Sequence, residues 1–205
     1  MVRAHRVIGC AAWTLTFLAV TSAAAAQKFE IKTNQDPKAS FASIKTYAWL
    51  PPAPLVKNVA PGGLTNPTLS EEALGPHIVA AIDRELAARG WSKVADVDKA
   101  DVKVAYFAAL TTGFNNTYLG EYYGYVTGWA NPIAPGYTPS TSMSVYEKGT
   151  VIVDIVQRAE NRAIWRGSVQ TRINQEHTLQ QRIERINKGA ERMFEKFPVK
   201  AAKTR

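Results

Sequence analysis

Asp154 is the acid whose setting most invites chemistry, because it interrupts the apolar run Val151, Ile152, Val153, Ile155 and Val156. A carboxylate in such a run must be hydrogen-bonded or paired. Arg166, on the strand that returns after a polar turn over 157–162, is the candidate partner. The opposing reading makes Asp154 a catalytic acid acting with Glu121 or a loop Tyr. Glycoside hydrolysis of that kind needs two carboxylates roughly 5–10 Å apart in a cleft. The pattern favours the structural pair. His77 and His177 stand at the starts of two helical stretches with no Ser, Cys or Asp at triad-like spacing. Gly90-Trp91-Ser92-Lys93-Val94 begins like a nucleophile elbow but has Val94 where a second Gly is required. Asp96, Asp98 and Asp101 lack the Gly and the distal Glu of a calcium loop, and Lys99 sits among them, so they read as a solvated turn. Neither a phosphate loop nor GxGxxG occurs. These residues predict no enzyme, no metal and no cofactor.

A second kind of chemistry is recognition. Residues 113–144 show no helical or strand period, and loops of that length tend to be functional or disordered. They carry Phe114, Tyr118, Tyr122, Tyr123, Tyr125, Trp129 and Tyr137 among Asn and Gly. Aromatics with polar tips can stack on sugars, lie at a membrane surface or anchor a protein partner. The predicted binding set is therefore Tyr118, Tyr122, Tyr123, Tyr125, Trp129 and Tyr137. The alternative is that the loop folds its aromatics back onto the sheet. Gly120, Gly124 and Gly128 recur every four residues, but Glu121 and Thr127 between them argue against a membrane helix.

Around these candidates lies a chain of 205 residues, 46% hydrophobic and 20% charged, which excludes a disordered chain, a coiled coil and a collagen-like rod. Arg3, His5 and Arg6 precede the apolar stretch Val7 to Val20, and Ser22 to Ala26 are small. That order is a secretory signal peptide over 1–26, with Ala24 and Ala26 placed for cleavage before Gln27. Val7-Ile8-Gly9-Cys10 has the local look of a lipidation site but stands too early, with only three apolar residues before Cys10. Cys10 is the sole Cys, so the mature chain is expected to have neither a thiol nucleophile nor a disulfide. Cleavage removes Arg3 and Arg6 and lowers the formal charge from +8 to +6. A basic surface suits anionic lipid or acidic glycan, and export makes nucleic acid the least expected partner.

The elements that must position the candidates follow from period and punctuation. Phe29 and Ile31 alternate with charged neighbours at strand period, and 47–50 read as a second short strand or an extended arm. Seven Pro and Gly residues over 51–68 mark a loop. Leu74, Ile78, Ile82 and Leu86 share a helix face that Gly90 ends, and Pro76 predicts a start near residue 76, with 70–75 as a separate turn or frayed start. Strands are predicted over 91–94 and 102–110, then a hairpin over 145–156 and 163–173. Gly149 and Gly167 mark bulges or close approaches, and Trp49 and Trp165 are the expected core anchors. A last helix runs over 178–196 on the stripe Leu179, Ile183, Ile186, Ala190, Met193 and Phe197, ended by Pro198. The tail 199–205 is basic and expected to be loose. The order predicts an α+β two-layer sandwich, a mainly antiparallel sheet of about five strands with two helices on one face. A single domain is expected over 27–198.

Several short motifs in this order resemble the bacterial domain of unknown function 4136, found mostly in envelope lipoproteins of Gram-negative bacteria. They are Lys45-Thr46-Tyr47-Ala48-Trp49, then Ile82-Asp83-Arg84-Glu85-Leu86-Ala87-Ala88-Arg89-Gly90-Trp91, and Ala100-Asp101-Val102-Lys103-Val104. Tyr146-Glu147-Lys148-Gly149-Thr150 with Asp154, and Trp165-Arg166-Gly167, complete the set. Members usually carry a lipidated Cys after the signal, which this mature chain lacks, and often an Asp where Gln157 stands. The resemblance implies an envelope location and assigns no reaction. Taken together, the expectation is a non-catalytic exported module, periplasmic or outer-membrane-associated after cleavage near Ala26. Its expected partners are an envelope protein or glycan, a second copy, or an anionic membrane surface. The alternative is a hydrolase acting on envelope glycans or lipids.

Overall fold

The computed structural model describes residues 28–52, 56–58, 70–111, 122–129 and 148–200. The signal-peptide and Cys10 readings, Phe114, Tyr118, Glu121, Tyr137 and the end of the basic tail fall outside these residues. In chain order the strands are β1 (Glu30–Gln35), β2 (Thr46–Trp49), β3 (Val56–Asn58), β4 (Ser92–Lys93), β5 (Val102–Thr111), β6 (Val126–Thr127), β7 (Lys148–Gln157) and β8 (Arg162–Arg172). The helices are α1 (Glu71–Ala87) and α2 (Leu179–Phe194), and a single 3-10 turn spans Val97–Lys99.

The expected hairpin forms the middle of the sheet. β7 pairs antiparallel with β8, setting Asp154 opposite Arg166 and Ile155 opposite Trp165, and β7 pairs antiparallel with β5 on its other side. β1 adds antiparallel to β8. The order is β1-β8-β7-β5-β2-β4, with β3 on β5 and β6 on β8.

The expectation of a mainly antiparallel sheet of about five strands is corrected. The sheet is mixed and larger, because β2, β3, β4 and β6 all run parallel to their neighbours. The crossover from β2 through α1 to β5 makes that pairing parallel, as a helical crossover between adjacent strands does. β3 lies in the Pro-rich stretch and β6 in the aromatic stretch, and both are too short to show a period of two.

α1 begins earlier than Pro76 suggests. The Ser70 side chain accepts from Ala73 N–H at 3.1 Å and starts the helix at Glu71, leaving Pro76 inside it. A capped first turn and an exposed ring let the helix pass a residue with no N–H to donate. Gly90 ends it with φ +81°, a conformation that costs a side chain more than it costs Gly. α2 opens on a reciprocal cap, with Gln181 N–H donating to the Thr178 hydroxyl and Thr178 N–H to the Gln181 side chain.

Both helices cover one face of the sheet. There Ile78, Ile82 and Leu86 of α1 and Met193 and Phe194 of α2 pack on Val104, Tyr106, Val153, Ile155 and the fully buried Trp165. Phe197 closes this core against Phe41, Trp91 and Trp165, with ring centroids 4.9–5.7 Å apart. A side chain at Gly167 would meet the Trp165 ring at 2.3 Å and Met193 at 2.6 Å, so that Gly marks a close approach, as expected. Val199, expected in a loose tail, packs against the core instead, and its carbonyl accepts from Arg89 at 3.0 Å.

Candidate functional site

Two of the acidic landmarks are fastenings between elements. Asp101 accepts from Lys45 N–H, Thr46 N–H and the Thr46 hydroxyl, each at 2.9 Å, which ties the start of β2 to the start of β5. The backbone N–H groups of Lys45 and Thr46 hold its carboxyl below the usual carboxylate range. Asp83 accepts from the Tyr47 hydroxyl at 2.7 Å, the Trp49 indole at 2.8 Å and Lys93 at 3.0 Å, binding α1 to β2 and β4. Burial, then the bond to Asp83, pushes the Tyr47 hydroxyl up from its ordinary pKa. Arg89 does the same work between the helices, donating to Glu85 and to the Phe194 and Val199 carbonyls.

The third landmark acid lies on the sheet face away from the helices. Asp154 is 0% exposed, and Arg166 grips it bidentately, with both donor–acceptor distances 2.6 Å. The Tyr125 hydroxyl donates to the same carboxylate. Burial, then the Asp154 charge, raises the Tyr125 pKa, so the phenol stays a donor. The structural pair read from the sequence is present, and with it a third member that sequence spacing did not show. A carboxylate enclosed in this way offers no open oxygen to a substrate.

Tyr125 arrives there because residues 122–129 lie across the outer face. Gly124 turns the chain at φ +68°, and β6 continues the edge of β8 where β1 leaves it. Asp36 N–H bonds the Ile164 carbonyl and Gly128 N–H the Ala163 carbonyl, each at 2.9 Å. Asp36 sits so close to Gly128 that any side chain there would overlap its carboxylate. Phe107, Tyr125, Ile152, Val156 and Ala163 form a second small core, with Tyr123 and Trp129 against it. Trp129 places its ring 6.0 Å from the Arg166 guanidinium, and the Tyr123 hydroxyl donates to the Pro51 carbonyl.

The predicted binding set is therefore split. Tyr125 is buried and bonded to Asp154, which removes it from the exposed aromatics, and Tyr123 and Trp129 are half-buried on the second core. Tyr122 keeps 48% of its surface open. Tyr118 and Tyr137 lie outside the described residues.

On the helix face the geometry is the opposite. A cavity of about 130 Å³ lies between α1, α2 and strands β5, β7 and β8. Leu74, Ile78 and Ile82 of α1, Val151 and Val169 of the hairpin, and Ile186 and Met193 of α2 make its walls. Arg172, His177, Arg182 and Arg185 also line it, and among the described residues no Asp or Glu does. Arg182 is buried and donates to the Gln175 carbonyl at 3.1 Å. Arg185 donates through Nη2 to the Thr171 hydroxyl at 2.6 Å and the Arg172 carbonyl at 3.1 Å. Its Nη1 and the Nδ1 of His177 are buried without a hydrogen-bond partner among the described residues. Burial, then the charges of Arg185 and Arg182, depresses the His177 pKa.

Arg182, Arg185, Lys188 and Arg192 are the basic residues of α2. The structure divides them, since Lys188 and Arg192 pair on the surface with Glu191 and Glu195 while Arg182 and Arg185 turn inward. The signal available was spacing. Arg182 stands four positions before Ile186 and Arg185 four before Gly189, on the edge of the apolar stripe. Gly189 also lines the cavity, where a side chain would approach Val169 at 3.3 Å.

Among the described residues no group of three or more His, Cys, Asp or Glu could hold a metal ion, and no helix is long and apolar enough to cross a membrane. The family model described as Domain of unknown function (DUF4136) matches residues 31–199. No curated protein matches the chain. Among solved structures the chain is similar to a DUF4136 family protein from Bacteroides thetaiotaomicron, with TM-score 0.54 and 16% identity over 83% of this chain and 96% of that one. It is more distantly similar to a PDZ domain protein from Parabacteroides distasonis, with TM-score 0.47 and 16% identity over 86% of this chain and 37% of that one. It also resembles the PelC dodecamer from Paraburkholderia phytofirmans, with TM-score 0.45 and 8% identity over 86% of this chain and 100% of that one. At these identities the likeness is one of fold.

Proposed function

The chain belongs to the DUF4136 family, and from that premise we propose that it is a non-catalytic binding module of the cell envelope. It is exported through the segment 1–26 and works in the periplasm or at the outer membrane. The observation that carries the binding half is the apolar cavity between the helices and the sheet, which the fold leaves open while it encloses its sharpest acid. Apolar walls with a few convergent polar groups are what a ligand site requires. The alternative, a hydrolase using Asp154, loses support because both carboxylate oxygens are held by Arg166 and Tyr125. Tyr122 is the described member of the aromatic set with surface left for an envelope protein, a glycan or a second copy.

Two measurements test this. Full-length protein made in a Gram-negative host and fractionated by osmotic shock is expected outside the cytoplasm, starting at Gln27 and free of lipid by mass spectrometry. Retention in the cytoplasm with Met1 intact refutes export. For the cavity, the small neutral fluorescent reporter 1-naphthylamine is expected to bind the parent and to lose most of its signal with Val151→Trp, which fills the space. An unchanged signal in a folded variant removes the cavity from the function.

A further inference from the structure

We propose that the cavity is the seat of a single-chain fatty carboxylate, with its tail among Leu74, Ile78 and Val169 and its head group at Arg185 and His177. The inference rests on the binding-module reading and adds the ligand's chemical class to it. Three observations carry it. The first is charge. Four basic residues line the cavity and, among the described residues, no acid does, so an anion complements it and a cation is repelled. The second is the pair of buried polar atoms, Arg185 Nη1 and His177 Nδ1, which have no hydrogen-bond partner among the described residues. A buried donor left unmet carries a desolvation cost that an incoming acceptor relieves. With Nη2 already bonded to Thr171 and Arg172, Arg185 Nη1 offers one charge-assisted N–H to a carboxylate oxygen. The third is size. A water needs about 10–15 Å³ of such space, so 130 Å³ admits roughly ten water- or methylene-sized groups. That suits one acyl chain of about ten carbons and is too small for a lipid with two.

The other candidate occupant is the chain itself. β5 ends at Thr111 and β7 begins at Lys148, both on strands that wall the cavity, and most of the intervening residues lie outside the described ones. The fatty carboxylate is preferred because the charge at the cavity calls for an anion, and residues 130–147 offer one acid, Glu147, beside β7 itself.

The test titrates decanoate, decanol and decylamine into the full mature protein, read by calorimetry and by the His177 imidazole resonances. Decanoate is expected to bind at least about tenfold more tightly than either analogue, the effect of one charge-assisted hydrogen bond, and to shift the His177 signals as decanol does not. Arg185→Gln is expected to lower decanoate affinity about tenfold, leave decanol unchanged and be partly rescued by Arg185→Lys. Equal binding of decanoate and decanol overturns the carboxylate assignment while leaving an apolar site in place, as naphthylamine binding shows separately. A variant with 130–143 replaced by a Gly/Ser linker is expected to bind decanoate as the parent does. A tenfold gain in that variant means the chain's own segment fills the cavity and overturns the proposal.

Discussion

On the outer face of the sheet, the Asp154 carboxylate is shut in by Arg166 and Tyr125, with charge and donors matched inside one small core. On the helix face, Arg185 and His177 stand at an apolar cavity where, among the described residues, each has a buried nitrogen unmet and no carboxylate joins the lining. The first set is buried and complete within the fold, whereas Arg185 and His177 are half-buried and each keeps one buried nitrogen without a partner among the described residues. The difference separates charge that the fold uses from charge that the fold leaves over. A buried pair with its hydrogen bonds satisfied needs no ligand, whereas a buried N–H left unmet carries a desolvation cost that an incoming acceptor would relieve.

The comparison breaks most visibly at Asp154. Asp154→Ala leaves Arg166 buried without its partner and is expected to cost about 3–5 kcal/mol in denaturant melts. Tyr125→Phe removes one donor to a charged acceptor and should cost about 1.5–3 kcal/mol, with faster hydrogen exchange over 122–129. A loss under about 0.5 kcal/mol for Asp154→Ala would show that the outer face does not depend on this pair.

The same operation on the helix face should do far less to stability. Arg185→Gln gives up the Thr171 bond at 2.6 Å but relieves repulsion from Arg182, and a net change within about 1 kcal/mol is expected. A loss as large as that of Asp154→Ala would erase the contrast between the two faces.

The smallest effect is a pH dependence. His177 has a pKa below its unfolded value of about 6.5, held down by burial and by Arg185 and Arg182. Above that value neither state binds the proton. As pH falls through it the unfolded chain gains more protons than the folded one, so stability drops until the folded pKa is passed. Melting temperatures from pH 7.5 to 5 are expected to fall with decreasing pH, and His177→Gln should flatten part of that slope.

The hairpin, the long central strand, Trp165 and the Asp154–Arg166 pair were legible because long alternating runs of apolar residues fix which side chains share a face. Short strands at β2 and β4 were legible but their parallel direction was not, and β3 and β6 were missed because they have three and two residues and are held by neighbours rather than by their own pattern. Tyr125 could be named as an aromatic of interest, but its burial depends on Gly124 and β6, which only the folded sheet places. The cavity was the least legible feature. It is a space left between side chains from five elements, and sequence periodicity reports which residues face inward but not how completely they meet.

The pairing of β1 with β8 has a consequence for when this protein can fold. Ser168 on β8 and Lys32 on β1 are 136 positions apart, yet they are cross-strand partners. The amino-terminal strand must wait for almost the last strand to be synthesised, and the core must wait longer, for Phe194 and Phe197. Contacts so distant along the chain make for slow folding. A chain wired in this way stays a thread, with its sheet edge and core unclosed, until α2 and Phe197 have been made.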